Sequence, residues 1–123
     1  MNKKIVIIGD SYINGGIVEK VLKSNGMSNY EIELYLDYKK LKKLNFEKFE
    51  HNDNYVGILC GPIPHSVNHK GYATSIVNFM EIHGGYPPII RLSANGALKI
   101  TNNSLKHGIE ELKNKLSYCS MAA

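Results

Sequence analysis

Two runs of consecutive apolar residues mark the chain, Ile5-Val6-Ile7-Ile8 and Tyr55-Val56-Gly57-Ile58-Leu59-Cys60. Neither alternates with polar residues, which is the pattern of strands covered on both faces. Between them Glu31-Ile32-Glu33-Leu34-Tyr35-Leu36 alternates strictly. Ile32, Leu34 and Leu36 then face inward and Glu31, Glu33 and Tyr35 outward, as in a half-exposed strand at a sheet edge. Helical spacing takes over at Ile13, Ile17, Val18, Val21 and Leu22 and stops at Asn25-Gly26, where glycine suits a left-handed helix cap. Asp37 is placed to cap a helix carrying Tyr38, Leu41 and Leu44, with Phe46 and Phe49 beyond. Ile76, Val77, Phe79 and Met80 predict another helix, ended by Gly84-Gly85, and Pro87-Pro88 leads into a strand at Ile89-Ile90-Arg91-Leu92. The turn dipeptide Asn95-Gly96 predicts a hairpin that returns over residues 97–101. Leu105, Ile109, Leu112 and Leu116 define a last helix, capped by Asn103 or Ser104.

Strands alternating with helices imply a mostly parallel sheet with helices on both faces, and right-handed crossovers leave few ways to connect it. The expected fold is an α/β, small flavodoxin-like or Rossmannoid three-layer sandwich with four or five strands in the order 2-1-3-4. The edge pattern of the second strand and the buried pattern of the first and third set that order. A single domain is expected over residues 1–117, with a flexible tail at 118–123.

Composition narrows the function. The 123 residues are 43% hydrophobic and 21% charged, an ordinary globular balance that excludes a disordered chain. Fifteen basic against eleven acidic side chains give +4, and Arg91 is the single arginine. A reader of duplex nucleic acid relies on the arginine fork, so none is expected. Cys60 and Cys119 make no disulfide framework. Gly9-Asp10 ends the first apolar run too early for a signal peptide, and no stretch reaches membrane-spanning length, so a cytoplasmic protein without membrane association is expected.

In parallel sheets of this kind ligands lie beyond the carboxyl ends of the strands, at the point where strand order reverses. That point falls between strands one and three. Each of those strands leads into a polar, glycine-rich loop. The first holds Gly9, Asp10, Ser11, Tyr12, Asn14 and Gly15; the second begins at Gly61 and Pro62 and holds His65, Ser66, His69 and Lys70. A helix start with free N–H groups attracts anions. Ser11 and Lys70, or His65 and Lys70, are expected to contact phosphate, with Ser66 in the same ligand-binding set, and Arg91 and Ser93 either join them or, for Arg91, pair with Glu81. His65 or His69 would serve as general acid or base. Neither the dinucleotide nor the P-loop fingerprint is present, so no cofactor is implied. His65 and His69 are four apart without a third ligand, so no metal is implied either.

The β-α alternation over residues 4–116, with the Asp10-Ser11 loop after strand one and a polar loop after a later strand, resembles the small Rossmann-like nucleotide-sensing domains of prokaryotic antiviral systems, the CARF domains among them. That resemblance implies a nucleotide or cyclic nucleotide second messenger held by these loops in a homo-oligomer, in antiviral defence. Gly9-Asp10-Ser11 also looks like the start of the GDS-type esterases, in which the serine is the nucleophile; the late Asp-x-x-His of that family is missing here. Glu81, on the helix after strand three, resembles in position the glutamate of TIR-type and deoxyribosyltransferase glycosidases. Three readings therefore stand: a binding module for a phosphate-bearing small molecule, a small phosphodiesterase or glycosidase on the same scaffold, and a protein-interaction domain.

Overall fold

The computed structural model describes residues 3–64 and 76–122. His65, Ser66, His69 and Lys70 lie outside them. The order of elements is β1 (Lys4–Ile8), α1 (Gly15–Leu22), β2 (Glu31–Tyr35), α2 (Tyr38–Lys43), β3 (Tyr55–Cys60), α3 (Ile76–His83), β4 (Ile89–Arg91), β5 (Ser93–Ala94), β6 (Ala97–Leu98) and α4 (Asn102–Ala122). A short π turn extends α1 and a 3-10 turn over Phe46–Phe49 precedes β3.

β1 to β4 form one parallel sheet in the order β2-β1-β3-β4, the order expected from the apolar pattern. The continuous apolar runs are its two central strands because both of their faces are covered. On one face Val6, Ile8, Ile58 and Cys60 pack against Leu41, Phe46, Phe49, Ile76, Val77 and Met80. On the other, Ile5, Ile7, Leu59 and Ile90 pack against Val18, Leu22, Leu105, Ile109 and Leu112. The molecule is thus a small three-layer sandwich of the Rossmann and flavodoxin type. Burying each such aliphatic side chain stabilises the fold by about 1.5–3 kcal/mol.

The predicted hairpin is present but shorter. Ser93 pairs with Leu98 and Ala94 with Ala97 around an Asn95-Gly96 turn, as a separate two-stranded sheet. Both turn residues have positive φ, 54° and 80°, the geometry whose twist matches antiparallel strands. Ile89–Arg91 stays in the parallel sheet. The cap of α4 sits earlier than expected. Thr101 Oγ1 accepts from the Ser104 N–H at 3.0 Å, and Ser104 Oγ accepts from the Thr101 N–H at 2.8 Å, a reciprocal capping box. The helical backbone continues to Ala122, through residues expected to form a tail. Leu112 of α4 comes so close to β3 that a Cβ on Gly57 would stand 2.6 Å from Leu112 Cδ1. Among the described residues, no helix is long and apolar enough to cross a membrane.

β2 departs from the simple inside-outside reading. Ile32, Leu34 and Leu36 pack inward as expected. Glu33 and Tyr35, expected in solvent, are half-buried on the opposite face. Glu33 accepts from the Tyr55 hydroxyl at 2.9 Å and from the Tyr35 hydroxyl at 3.1 Å, and its two oxygens lie 3.3 Å from Lys4 Nζ and Lys48 Nζ. Lys48 also donates to the Tyr35 hydroxyl at 2.7 Å. Partial burial opposes charge on Glu33, but these hydrogen bonds and the Lys48 charge outweigh it and hold the carboxyl below its ordinary range. The edge strand is pinned to β1, β3 and the Phe46–Phe49 turn through this one carboxylate.

Candidate functional site at the carboxyl rim of the sheet

The first residues of the two loops expected to form a cleft, Gly9-Asp10 and Gly61-Pro62, leave the sheet side by side and stay joined by backbone hydrogen bonds. The Gly61 N–H donates to Ile8 O and the Asp10 N–H to Pro62 O, each at 2.7 Å. The parallel ladder of β1 and β3 therefore continues through the first loop residues. A Cβ on Gly9, whose φ is +149°, would lie 2.8 Å from Gly61 Cα, and one on Gly61 would lie 2.5 Å from Ile100 Cγ1. The seam is closed by backbone contact and covered by an apolar side chain. Gly9, Asp10, Gly61 and Pro62 are backbone partners of one another, not a set of free donors around a hollow.

Several N–H groups of the first loop are engaged as well, at Gly9, Asp10, Ser11 and Ile13. The Gly9 N–H donates to Tyr35 O and the Ser11 N–H to Leu36 O, both at 3.0 Å. Ser11 Oγ accepts from the Ile13 N–H at 3.1 Å. Asn14 is the cap of α1, its Oδ1 accepting from the Gly16 N–H at 2.7 Å and its carbonyl from the N–H groups of Ile17 and Val18. An anion at the Gly16 N–H would have to displace the Asn14 side chain. Local sequence explains this arrangement: Asn14 stands directly before Gly15-Gly16 and caps the helix start itself.

Open space at this rim lies one seam over. A recess of about 250 Å³ is lined by Ser11, Ile13 and Gly15 from the β1–α1 turn, Leu34 and Leu36 from the β2 end, and Asp37 and Lys40 from the start of α2. Its apolar side chains are Ile13, Leu34 and Leu36, and its polar groups are one hydroxyl, one carboxylate and one ammonium. Asp37 Oδ1 is engaged by the Lys40 N–H at 2.8 Å, as the cap of α2. Tyr12, between the lining residues Ser11 and Ile13, is fully exposed, and Tyr38, next to Asp37, is also exposed. A large aromatic ring left wholly in water beside a recess is unusual on a small domain and suits stacking on a planar partner.

Ser11 and Gly15 thus remain at an open site, with Tyr12 beside it and Asn14 at its helix start. Asp37 and Lys40 join them, although their local sequence marks only a helix cap and a solvated lysine. A signal for them exists in the strand order, because the carboxyl end of β2 must reach the same rim as that of β1 in a parallel sheet. Ser93 is exposed in the short hairpin. Arg91 is elsewhere: its Nη2 lies 2.6 Å from Glu81 Oε1, its Nε donates to Glu81 Oε2 at 3.3 Å, and Nη2 also reaches Asn78 Oδ1. Of the two roles open to Arg91, pairing with Glu81 is the one realised. The same fork occupies both oxygens of Glu81, the expected glycosidase glutamate. Burial, with the charge of Glu81 added, pushes the Cys60 thiol far above its ordinary range, so it packs as a small apolar group.

No family model, no curated protein and no solved structure gives a significant match to the chain.

Proposed function

We propose that the protein binds a phosphate-bearing small molecule of the nucleotide class at the carboxyl rim of its sheet, and that it works as a homo-oligomer in prokaryotic antiviral signalling. The observation that carries the binding reading is the recess between the β1 and β2 ends. It combines Ile13, Leu34 and Leu36 with Ser11, Asp37 and Lys40, at the strand ends where parallel α/β sheets hold their ligands. Lys40 supplies charge for a phosphate, Ser11 Oγ a neutral donor, and the second carboxylate oxygen of Asp37 an acceptor for a sugar hydroxyl. The fully exposed Tyr12 ring offers a face for a base. Among the described residues the recess favours the β1–β2 seam, since the first residues beyond β1 and β3 are hydrogen-bonded to one another.

A thermal-shift screen against nucleotides tests the reading. A ligand at a hundredfold excess over its Kd stabilises the fold by about 2.7 kcal/mol. Lys40→Ala should reduce that stabilisation while leaving the unliganded midpoint nearly unchanged, since Lys40 is exposed, and Ser11→Ala should reduce it too, at the further cost of the bond from the Ile13 N–H. Stabilisation by no nucleotide at saturating concentration overturns the reading, as does equal stabilisation of both variants. Mass spectrometry of any co-purified molecule identifies the member of the class.

A further inference from the structure

We propose that the outer edge of β4 binds an extended segment of a partner protein, alternating acidic and apolar residues, as an added strand. β4 ends the sheet on the side away from β2 and the recess, and among the described residues it pairs with β3 alone. The register sets Ile58 against Ile89, Leu59 against Ile90 and Cys60 against Arg91. The Ile58 N–H donates to Pro88 O at 3.0 Å and the Leu92 N–H to Cys60 O at 2.8 Å. Successive residues of a strand turn their backbone groups to opposite sides. Pro88, Ile90 and Leu92 therefore bond toward β3, and Ile89 and Arg91 turn their N–H and C=O outward. Among the described residues none of these four outward groups has a partner. The chain leaving the hairpin returns on the β3 side, where the Lys99 N–H donates to Leu92 O at 2.9 Å. Donors and acceptors alternating along an edge match the backbone of another strand.

The surroundings of the edge select which strand. A cavity of about 330 Å³ lies at its start, lined by Met80 and Glu81 of α3, by Tyr86 and Ile89, and by Lys115 of α4. α3 and α4 cover opposite faces of the sheet, so the cavity runs across the edge from one face to the other. A strand laid there sends alternate side chains to the two faces. On the α3 face they meet Met80 and Tyr86, while Glu81 is already held by Arg91 at 2.6 Å. On the α4 face they meet Lys115, which is ion-paired with no carboxylate among the described residues. Apolar residues toward α3 and acidic residues toward α4 complement both. A second copy of the chain does not, because antiparallel pairing of two β4 strands sets both α4 helices on one face and brings a second Lys115 there in place of a carboxylate. Pro87 and Pro88 carry no N–H, so pairing stops at them and the added strand is short.

The experiment titrates the isotope-labelled full chain, followed by NMR, with a seven-residue peptide alternating valine and glutamate and with its valine–lysine counterpart. In the free chain the Ile89 and Arg91 amides should exchange with solvent rapidly and the Ile90 amide slowly. The glutamate peptide should shift the Ile89 and Arg91 signals, slow their exchange, and bind about tenfold tighter than the lysine peptide. Lys115→Glu, on an exposed helix position, keeps the fold and should reverse that preference. Ile89→Pro removes one outward N–H and no bond to β3, and should weaken the glutamate peptide about tenfold. If that variant fails to fold, the reversal by Lys115→Glu decides alone. No response at millimolar peptide, an equal response to both peptides, or a preference that Lys115→Glu leaves unmoved overturns the inference. Ile89 and Arg91 amides already protected in the free chain overturn it too, and a dimer by light scattering would then name a second copy as the occupant. Nucleotide stabilisation is read separately, so the proposed function stands or falls without this edge.

Discussion

The two seams that flank β1 end differently, although both are parallel and both reach the same rim. Beyond Ile8 and Cys60 the β1–β3 seam stays zipped, with Gly9 and Gly61 in backbone contact and Ile100 over them. Beyond Ile8 and Tyr35 the β1–β2 seam keeps its hydrogen bonds at Gly9 and Ser11, yet a recess opens beside it between the starts of α1 and α2. The difference comes from the path of the chain beyond each strand. β2 passes within two residues into a helix capped by Asp37, on the opposite face of the sheet from α1. β3 passes into Gly61-Pro62, which hydrogen-bond to Ile8 and Asp10. Among the described residues, the recess lies where the chain turns into a helix directly after the strand.

Substitutions at the glycines of the two seams should separate them most sharply. Gly9→Ala is expected to cost about 3 kcal/mol or more, because it strains the backbone at φ +149° and places a methyl against Gly61 backbone that cannot give way. That corresponds to a fall in Tm of about 10 °C; an unchanged Tm would mean the seam is looser than described. Gly61→Ala sets a methyl 2.5 Å from Ile100 Cγ1 and 2.8 Å from its Cδ1, so the Ile100 side chain must shift, and the change should cost about 1–3 kcal/mol. Combined with Ile100→Ala it should be less destabilising than the sum of the two single changes. Strict additivity in urea denaturation would remove the contact.

Glu33→Gln probes the anchoring of β2 and should cost about 1–2 kcal/mol, as a half-buried hub loses charge-assisted bonds. The folded-state carboxyl titrates below its ordinary range. Its contribution is therefore present above that range and disappears as pH falls through the folded value. The gap in urea midpoint between the native protein and Glu33→Gln should narrow in acid; a gap that widens there contradicts the network. Arg91→Ala, at a pair more than a third exposed on both sides, should cost at most about 1 kcal/mol, and a larger loss in chemical denaturation would give the pair a greater role. Gly15→Ala should change stability least, within about 0.5 kcal/mol, since its Cβ meets only Leu34 Cδ1 at 3.0 Å. It should nevertheless weaken a ligand in the recess by about tenfold, at the ~1–3 kcal/mol that one misplaced methyl group costs. Nucleotide titration of this otherwise stable variant checks that directly.

Hydrophobic periodicity by itself determined the layers and strand order of this protein. Uninterrupted apolar runs can only be central strands, strict alternation marks an edge, and short connections restrict the crossovers. It also determined the helix end at Asn25-Gly26, the Asp37 cap and the Asn95-Gly96 turn, because each is a local matter of backbone geometry and nearby donors. Tertiary structure alone decided which rim groups remain available. Asp10 and Pro62 are distant in sequence, and nothing local to either announces the hydrogen bond that joins them. The same holds for Glu33, whose outward position by alternation becomes a half-buried hub once Lys48 and Tyr55 arrive from another part of the chain. It holds for Arg91 too, whose role stays open along the chain until Glu81 stands beside it. A polar group's chemistry is set by its partners, and partners are assigned by packing.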